Sequence, residues 1–137
     1  MARRRMFNIE FVSQDDFLEM PCSAQALYFH LGMRADDDGI VSSPLQIKKI
    51  VSCSDDDFKI LFAKGYLIPY ENKFIVIKHW HIHNKIRKDR YIKSIHEDVR
   101  KSLYLNNEIY SLDKKQGSIP LVEADSLGIS SATDCTD

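Results

Sequence analysis

Apolar side chains recur with a helical period in three segments of the first half of the chain. Each segment follows a serine, a residue that favours the position just before a helix. These serines and their apolar faces are Ser23 with Ala24, Leu27, Tyr28 and Leu31; Ser43 with Ile47, Ile50 and Val51; and Ser54 with Phe58, Leu61 and Phe62. The pattern predicts three helices. Gly32 could end the first, and Gly65 is well placed to end the third.

Shorter apolar segments predict strands around these helices. Ile40-Val41 is a short strand at most, after a turn at residues 36–39. Residues 66–70 and 74–78 predict a β-hairpin with a turn at residues 71–73. The order helix, short strand, helix, helix, hairpin is typical of a winged helix, an α+β fold in which the hairpin is the wing.

The two ends of the chain carry weaker patterns. Residues 7–11 alternate as in a short strand or a lead-in, and residues 15–18 resemble a short helix. Beyond the hairpin, the spacing of Ile92, Ile95, Val99 and Leu103 predicts a C-terminal helix with a narrow apolar stripe. After Asp113 the pattern fades into Gly, Ser and Pro.

We therefore expect a winged-helix domain over residues 1–105 and a linker or disordered acidic tail over 106–137. Removal of residues 114–137 is expected to leave the melting temperature nearly unchanged. A chain of 137 residues with 44% hydrophobic content suffices for one such domain.

Composition indicates a cytoplasmic protein. No stretch approaches the roughly 20 apolar residues of a membrane span, and the basic start is not followed by the apolar core of a secretory signal. Cys22, Cys53 and Cys135 are odd in number and form no C-x-x-C pair, which favours reduced thiols.

Candidate catalytic chemistry is weak. His79, His81 and His83 alternate on a possible strand face, but no carboxylate or thiol lies at a matching metal-ligand spacing. Residues 36–39 resemble half of a calcium loop, without the glycine and glutamate positions that such a loop requires. Nucleophile elbows, phosphate loops and dinucleotide fingerprints are absent from the sequence. We expect no metal, no cofactor and no enzyme activity.

Charge is unevenly distributed although the net charge is only −1. Residues 1–101 contain 17 Lys/Arg and 14 Asp/Glu, whereas residues 102–137 contain 2 and 6. Basic groups that can neutralise phosphates predict DNA contacts. The candidates are Arg3, Arg4 and Arg5 as a flexible arm; Lys48, Lys49 and Lys59 near the predicted second and third helices; Lys73 at the wing tip; and Lys85, Arg87, Lys88, Arg90 and Lys93 after the wing.

Two alternatives accompany this prediction. Trp80 and Tyr91 could stack on an exposed base, or the basic run is a solvated face with Trp80 in the core.

Asp55, Asp56 and Asp57 fill the first turn of the predicted recognition helix, where DNA would repel them. Either the arm and the segment after the wing carry DNA binding, or this helix faces a protein partner.

Two sequence blocks resemble a known family. They are residues 23–33 (SAQALYFHLGM) with 35–39 (ADDDG), and residues 77–80 (IKHW), 82–84 (IHN) and 86–91 (IRKDRY). Together they resemble the N-terminal domain of phage replisome organisers, related to DnaD-like replication proteins of Gram-positive hosts and phages. The resemblance extends over roughly residues 4–100 and makes Lys85 to Arg90 the expected DNA contact.

The resemblance implies a winged-helix module that binds origin DNA, double-stranded or alternatively single-stranded, and helps recruit a helicase loader or helicase. Members of the family continue into a C-terminal domain, so this chain is either truncated or the product of a shortened gene. The rival interpretations are a protein-interaction or homo-oligomerisation module of the replisome, and a winged-helix transcription regulator.

Overall fold

The protein is a mixed α+β chain with small, mainly antiparallel sheets. The computed structural model describes residues 4–114 and 117–123 and the backbone of 132–133. Its helices are α1 Ile9–Val12, α2 Asp15–Leu18, α3 Cys22–Arg34, α4 Pro44–Val51, α5 Asp55–Ala63, α6 Trp80–His83 and α7 Glu97–Ser102. Its strands are β1 Ile40–Val41, β2 Leu67–Tyr70, β3 Phe74–Ile77, β4 Ile86–Arg87, β5 Tyr104–Asn106, β6 Ile109–Ser111, β7 Ile119–Pro120 and β8 Ala132–Thr133.

The first half of the molecule packs three helices against a three-stranded antiparallel sheet. α3 contacts both α4 and α5, and the strand order is β1-β3-β2. Ile40 is paired with Val76, and Leu67 with Ile77. Leu27, Leu31 and Leu61 are fully buried in the core of this half. The three predicted helices, the short strand and the hairpin are confirmed, with small differences at their ends.

Local chemistry explains why the predicted hairpin and third helix form where they do. Glu71 and Asn72 adopt the left-handed conformation that a tight turn between β2 and β3 requires, and Lys73 N–H donates to the Tyr70 carbonyl. At α5, the Ser54 and Asp57 side chains form a reciprocal capping box. Both features satisfy backbone groups that would otherwise lack partners.

The predictions for the N-terminal region need correction. Residues 9–12 form a helix rather than a strand, because the Asn8 side chain caps it by accepting from Glu10 N–H and Phe11 N–H. Ser23 does not precede a helix but lies inside α3, which begins at Cys22. Gly32 does not end α3 either, which continues to Arg34. A Cβ at Gly32 would lie 2.6 Å from Phe7 Cζ, so glycine permits this close approach.

The predicted C-terminal helix is shorter than its apolar spacing suggested. Only Glu97–Ser102 is helical, with Val99 buried, whereas Ile92 and Ile95 are exposed. Backbone N–H groups of Ile92 and Ser94 donate to the carboxylates of Asp37 and Asp38. These long-range hydrogen bonds compete with helix formation over residues 92–96.

Structured chain continues beyond residue 105, where the sequence suggested a linker. Strands β6 and β7 both pair with β5, and Tyr110 and Leu121 are fully buried. Tyr110 N–H donates to the Lys78 carbonyl at 3.0 Å, which ties this hairpin to the end of β3. Further along, β8 pairs in parallel with β4. The rest of the predicted tail, residues 115–116, 124–131 and 134–137, lies outside the described residues.

Among the described residues, none of the helices has the length and apolar character that crossing a membrane requires.

Candidate nucleic-acid interface

A buried turn at residues 36–39 organises the region around the predicted DNA contacts. Asp36 Oδ1 accepts from the backbone N–H groups of Asp38 and Ile40, which shapes the turn. Gly39 has a φ of +82°, and a Cβ there would lie 2.6 Å from Trp80 Cγ. The turn therefore needs glycine for both its conformation and its packing.

Asp37 joins the N-terminal segment to the segment after the hairpin. One carboxylate oxygen accepts from Arg5 Nη1 at 2.9 Å, and the other accepts from the Ile92 N–H at 3.1 Å. Arg5 also donates to the Ala35 carbonyl, and its guanidinium lies 5.2 Å from the centre of the Trp80 ring. Only 3% of the Arg5 side chain is exposed. Arg5 is thus a structural residue and is removed from the predicted DNA-binding arm.

Asp38 accepts hydrogen bonds from several residues that follow the hairpin in the chain. Its carboxylate accepts from the Tyr91 hydroxyl, from Ser94 N–H and from Arg100 Nε at 3.0 Å. Its backbone carbonyl accepts from the Tyr110 hydroxyl at 2.7 Å. Burial, followed by the neighbouring Asp38 charge, raises the pKa of Tyr91, so this phenol stays protonated and donates. Sequence reasoning placed these aspartates in a simple turn, since nothing local indicated partners so far along the chain.

The basic segment after the hairpin is fixed by these anchors. Lys85, Arg87, Lys88, Arg90 and Lys93 are all exposed within nine residues, and exposure is a condition for the phosphate contacts that the sequence predicts. Ile86 is buried between them. Lys85 forms an ion pair with Glu108, and Arg87 Nε lies 3.4 Å from Asp89 Oδ1. Five cationic side chains therefore share one exposed segment held by buried contacts.

A cleft of about 840 Å³ opens between the N-terminal segment and the basic segment. One wall is formed by residues 4–6, and the other by Asn84 and residues that follow it up to Ile92. Its lining contains five cationic residues and one acid: Arg4, Arg5, Lys85, Arg87, Arg90 and Asp89. Arg4 is exposed, so of the described arm residues it alone remains a candidate DNA contact; Arg3 lies outside the described residues.

The other predicted DNA contacts do not line this cleft. Lys48 forms an ion pair with Asp55, and Lys59 Nζ lies 4.0 Å from Asp56. The hydrogen bond from Lys48 lowers the pKa of Asp55. Lys49 is exposed on α4 and Lys73 is exposed in the hairpin turn.

Asp57, the third aspartate of the acidic turn, faces inward. Its carboxylate accepts from Ser54 N–H at 2.9 Å and from the Ser23 hydroxyl at 2.7 Å. Burial opposes its charged form, but these hydrogen bonds outweigh burial and lower the pKa of Asp57. Only Asp55 and Asp56 remain as exposed acids of that turn.

The three histidines belong to the core rather than to a strand face. They lie at or within the single turn α6, and His81 and His83 are buried. His83 Nδ1 accepts from Asn8 N–H at 2.9 Å, so its other nitrogen carries the proton and donates to the Tyr28 hydroxyl at 2.7 Å. Burial lowers the pKa of His79 and His83 to about 4 and that of His81 to about 3.

Neutral buried imidazoles are poor phosphate contacts, so we do not add these histidines to the candidate DNA contacts. In the part of the chain that the structure describes, no three His, Cys, Asp or Glu side chains come together as metal ligands. Trp80 is 1% exposed, which confirms the core placement and makes base stacking by Trp80 wrong.

Compared with protein-family models, curated proteins and solved structures, the chain gives no significant match. The features of the molecule that bear on its function are therefore the fold and the basic cleft.

Proposed function

We propose that this chain is a winged-helix DNA-binding module of a phage or prophage replication-initiation protein of the replisome-organiser type. In that role it binds origin DNA and helps recruit the helicase-loading machinery. The order α3, β1, α4, α5, β2, β3 and the strand order β1-β3-β2 support the winged-helix assignment. The β2–β3 hairpin would be the wing.

The observation that carries the proposal is the exposed basic segment of residues 85–93. Near its C-terminal end the segment is held by hydrogen bonds from the Tyr91 hydroxyl and the Ile92 N–H to the buried carboxylates of Asp38 and Asp37, while its cationic side chains are exposed. A fixed backbone presents these charges with little ordering cost on binding. Cations arranged in this way neutralise DNA phosphates and release counterions.

The acidic first turn of α5 opposes DNA binding less than its sequence suggested. Asp57 is satisfied internally, while Lys48 and Lys59 lie beside Asp55 and Asp56. The remaining surface of this turn is close to neutral rather than strongly negative. It offers no excess of positive charge, so we assign the main phosphate contacts to the basic segment.

A salt-dependent binding experiment tests the proposal. Fluorescence anisotropy would measure the affinity for duplex and for single-stranded DNA over a range of salt concentrations. The intact chain would be compared with a variant in which Lys85, Arg87, Lys88 and Arg90 are alanine. The control carries alanine at four other exposed cations, Arg34, Lys64, Lys101 and Lys114, and so has the same net charge.

Loss of each phosphate contact should reduce the slope of log affinity against log salt by about 0.9. We expect this reduction, with weaker affinity, in the basic-segment variant and much less in the control. Equal losses of affinity in both variants would show that the change in net charge alone accounts for the effect. Absence of binding by the intact chain at low salt would reject DNA binding and favour the protein-interaction module.

A further inference from the structure

The cleft beside the basic segment has walls that are connected by direct hydrogen bonds. Asp37 accepts from Arg5 on one wall and from Ile92 N–H on the other. Asn84 Oδ1 accepts from the Met6 N–H at 2.8 Å, which joins the walls a second time. A site that is pre-formed in this way loses little conformational entropy when a ligand enters.

Asn84 leaves one hydrogen-bond donor unused at this position. Because Met6 N–H is a donor, the Asn84 atom facing it must be the carbonyl oxygen, which fixes the orientation of the side-chain amide. Asn84 is 1% exposed, and its Nδ2 has no hydrogen-bond partner among the described residues. Buried donors are rarely left unsatisfied, and Asn84 is one of the residues that line the cleft, so a ligand there would supply the missing acceptor.

The charges around this donor specify the kind of acceptor. Arg4 and Arg90 line the same cleft, and neither forms an ion pair within the ranges 4–114 and 117–123. Guanidinium groups present paired N–H donors that match the oxygens of a phosphate. The cleft volume of about 840 Å³ suits a group of nucleotide size and excludes a whole duplex.

We propose that this cleft is a phosphate-binding site, in which Arg4, Arg90 and the Asn84 amide N–H hold one phosphate group of a nucleic-acid strand. Identifying the strand as nucleic acid rests on the proposed function, whereas the phosphate chemistry rests on the cleft alone. A free phosphorylated small molecule has the same chemistry, so the test must separate these two sources.

NMR spectroscopy of the full chain provides a direct test. The side-chain amide signals of Asn84 would be followed in ¹⁵N-labelled protein during titration with inorganic phosphate, with chloride at equal ionic strength as reference. We expect a saturable shift with phosphate that chloride does not produce. No saturable shift of the Asn84 signals would overturn the proposal.

Two variants and one control test whether Asn84 and Arg4 bind the phosphate. Asn84→Asp keeps an acceptor for Met6 N–H but replaces the unused donor by a charged oxygen, and Arg4→Ala removes one guanidinium. We expect phosphate affinity, followed through the backbone amide of Ile86, to fall by about tenfold in each variant. Arg34→Ala, an exposed arginine that does not line the cleft, should leave it within about twofold. Equal affinity in all proteins would reject these residues as ligands.

A second titration with a short 5′-phosphorylated thymidine oligonucleotide separates the two sources. If the oligonucleotide shifts the Asn84 signals and Arg4→Ala weakens its binding, the phosphate belongs to a strand. If inorganic phosphate binds but the oligonucleotide leaves Asn84 unchanged, the site serves a small phosphorylated molecule and the link to nucleic acid is rejected. Duplex affinity by anisotropy reports separately on the proposed function.

Discussion

Arg100 Nε donates to the Asp38 carboxylate at 3.0 Å, and both side chains are at most 3% exposed. The two residues are 62 positions apart, so this ion pair joins the turn before β1 to α7. The same carboxylate also accepts from Tyr91 and Ser94. Together with Asp37, this buried acid therefore holds the segment that carries the proposed DNA contacts.

Replacing Asp38 by Asn should strongly destabilise the protein. The substitution preserves the size of the side chain but removes the Asp38 charge from its buried ion pair with Arg100. Removing one partner of a buried ion pair costs about 3–5 kcal/mol of unfolding free energy. Urea unfolding followed by circular dichroism would measure this loss.

Asp56→Asn is the matched control for Asp38→Asn. The Asp56 side chain is 84% exposed and lies 4.0 Å from Lys59 Nζ. Its replacement should change the unfolding free energy by no more than about 0.5 kcal/mol. Similar losses in both variants would contradict the special role of the Asp38–Arg100 pair.

Two glycines with the same φ angle allow the effect of backbone strain to be separated from the effect of packing. Gly39 and Gly117 both have a φ of +82°, but only Gly39 faces Trp80, whereas a Cβ at Gly117 would meet no described atom within 4 Å. Gly117→Ala should cost about 1–2 kcal/mol from the left-handed backbone alone. Gly39→Ala should cost at least about 2 kcal/mol more, because the turn or Trp80 must move. Equal losses in thermal or urea unfolding would show that the contact with Trp80 relaxes without cost.

Local patterns in the sequence were sufficient for the three main helices and the hairpin of the first half of the fold. Helices α3, α4 and α5 and the β2–β3 hairpin depend on apolar periodicity and turn residues, which lie within a few positions of one another. The basic segment was also found, because charge is visible in the sequence alone. Its five exposed cations lie where the pattern placed them.

The contacts of Asp37 and Asp38 were not predictable in this way. The residues between Tyr91 and Tyr110 that donate hydrogen bonds to these two aspartates lie 53 to 72 positions further along the chain. Such hydrogen bonds depend on tertiary packing. The same contacts explain two failures of the sequence patterns. They keep residues 92–96 out of the predicted helix, and they take Arg5 out of the predicted flexible arm.

Stability should decrease when the pH falls below about 6.5. Burial lowers the pKa values of His79, His81 and His83 to about 4, 3 and 4, below the value of about 6.5 expected in the unfolded chain. Between these pH values the unfolded state binds more protons, so the unfolding free energy is greatest above pH 6.5 and falls as the histidines of the unfolded chain become charged. His81 alone should contribute up to about 1.4 kcal/mol per pH unit.

A His81→Leu variant tests how much of this pH dependence comes from His81. Both ring nitrogens of His81 lack partners among the described residues, and the ring packs against Tyr110. Leucine removes two unsatisfied polar atoms, so the variant should be at least as stable at pH 7.5 as the original chain. Urea unfolding from pH 7.5 to pH 5 should show a shallower decline with pH. An unchanged slope would mean that His81 does not take up a proton on unfolding.

Truncation should reveal that the core extends through Leu121. A chain ending at Asp113 loses β7 and the fully buried Leu121 side chain, whose backbone N–H donates to the Leu103 carbonyl at 2.9 Å. Loss of a buried leucine costs about 2–5 kcal/mol, enough to lower the melting temperature by several degrees. A chain ending at Glu123 keeps these contacts and should retain most of the stability of the 137-residue chain. Leu121→Ala in the full chain should reproduce much of the loss. An unchanged melting temperature for the chain ending at Asp113 would show instead that residues 114–137 behave as the linker that their composition suggested.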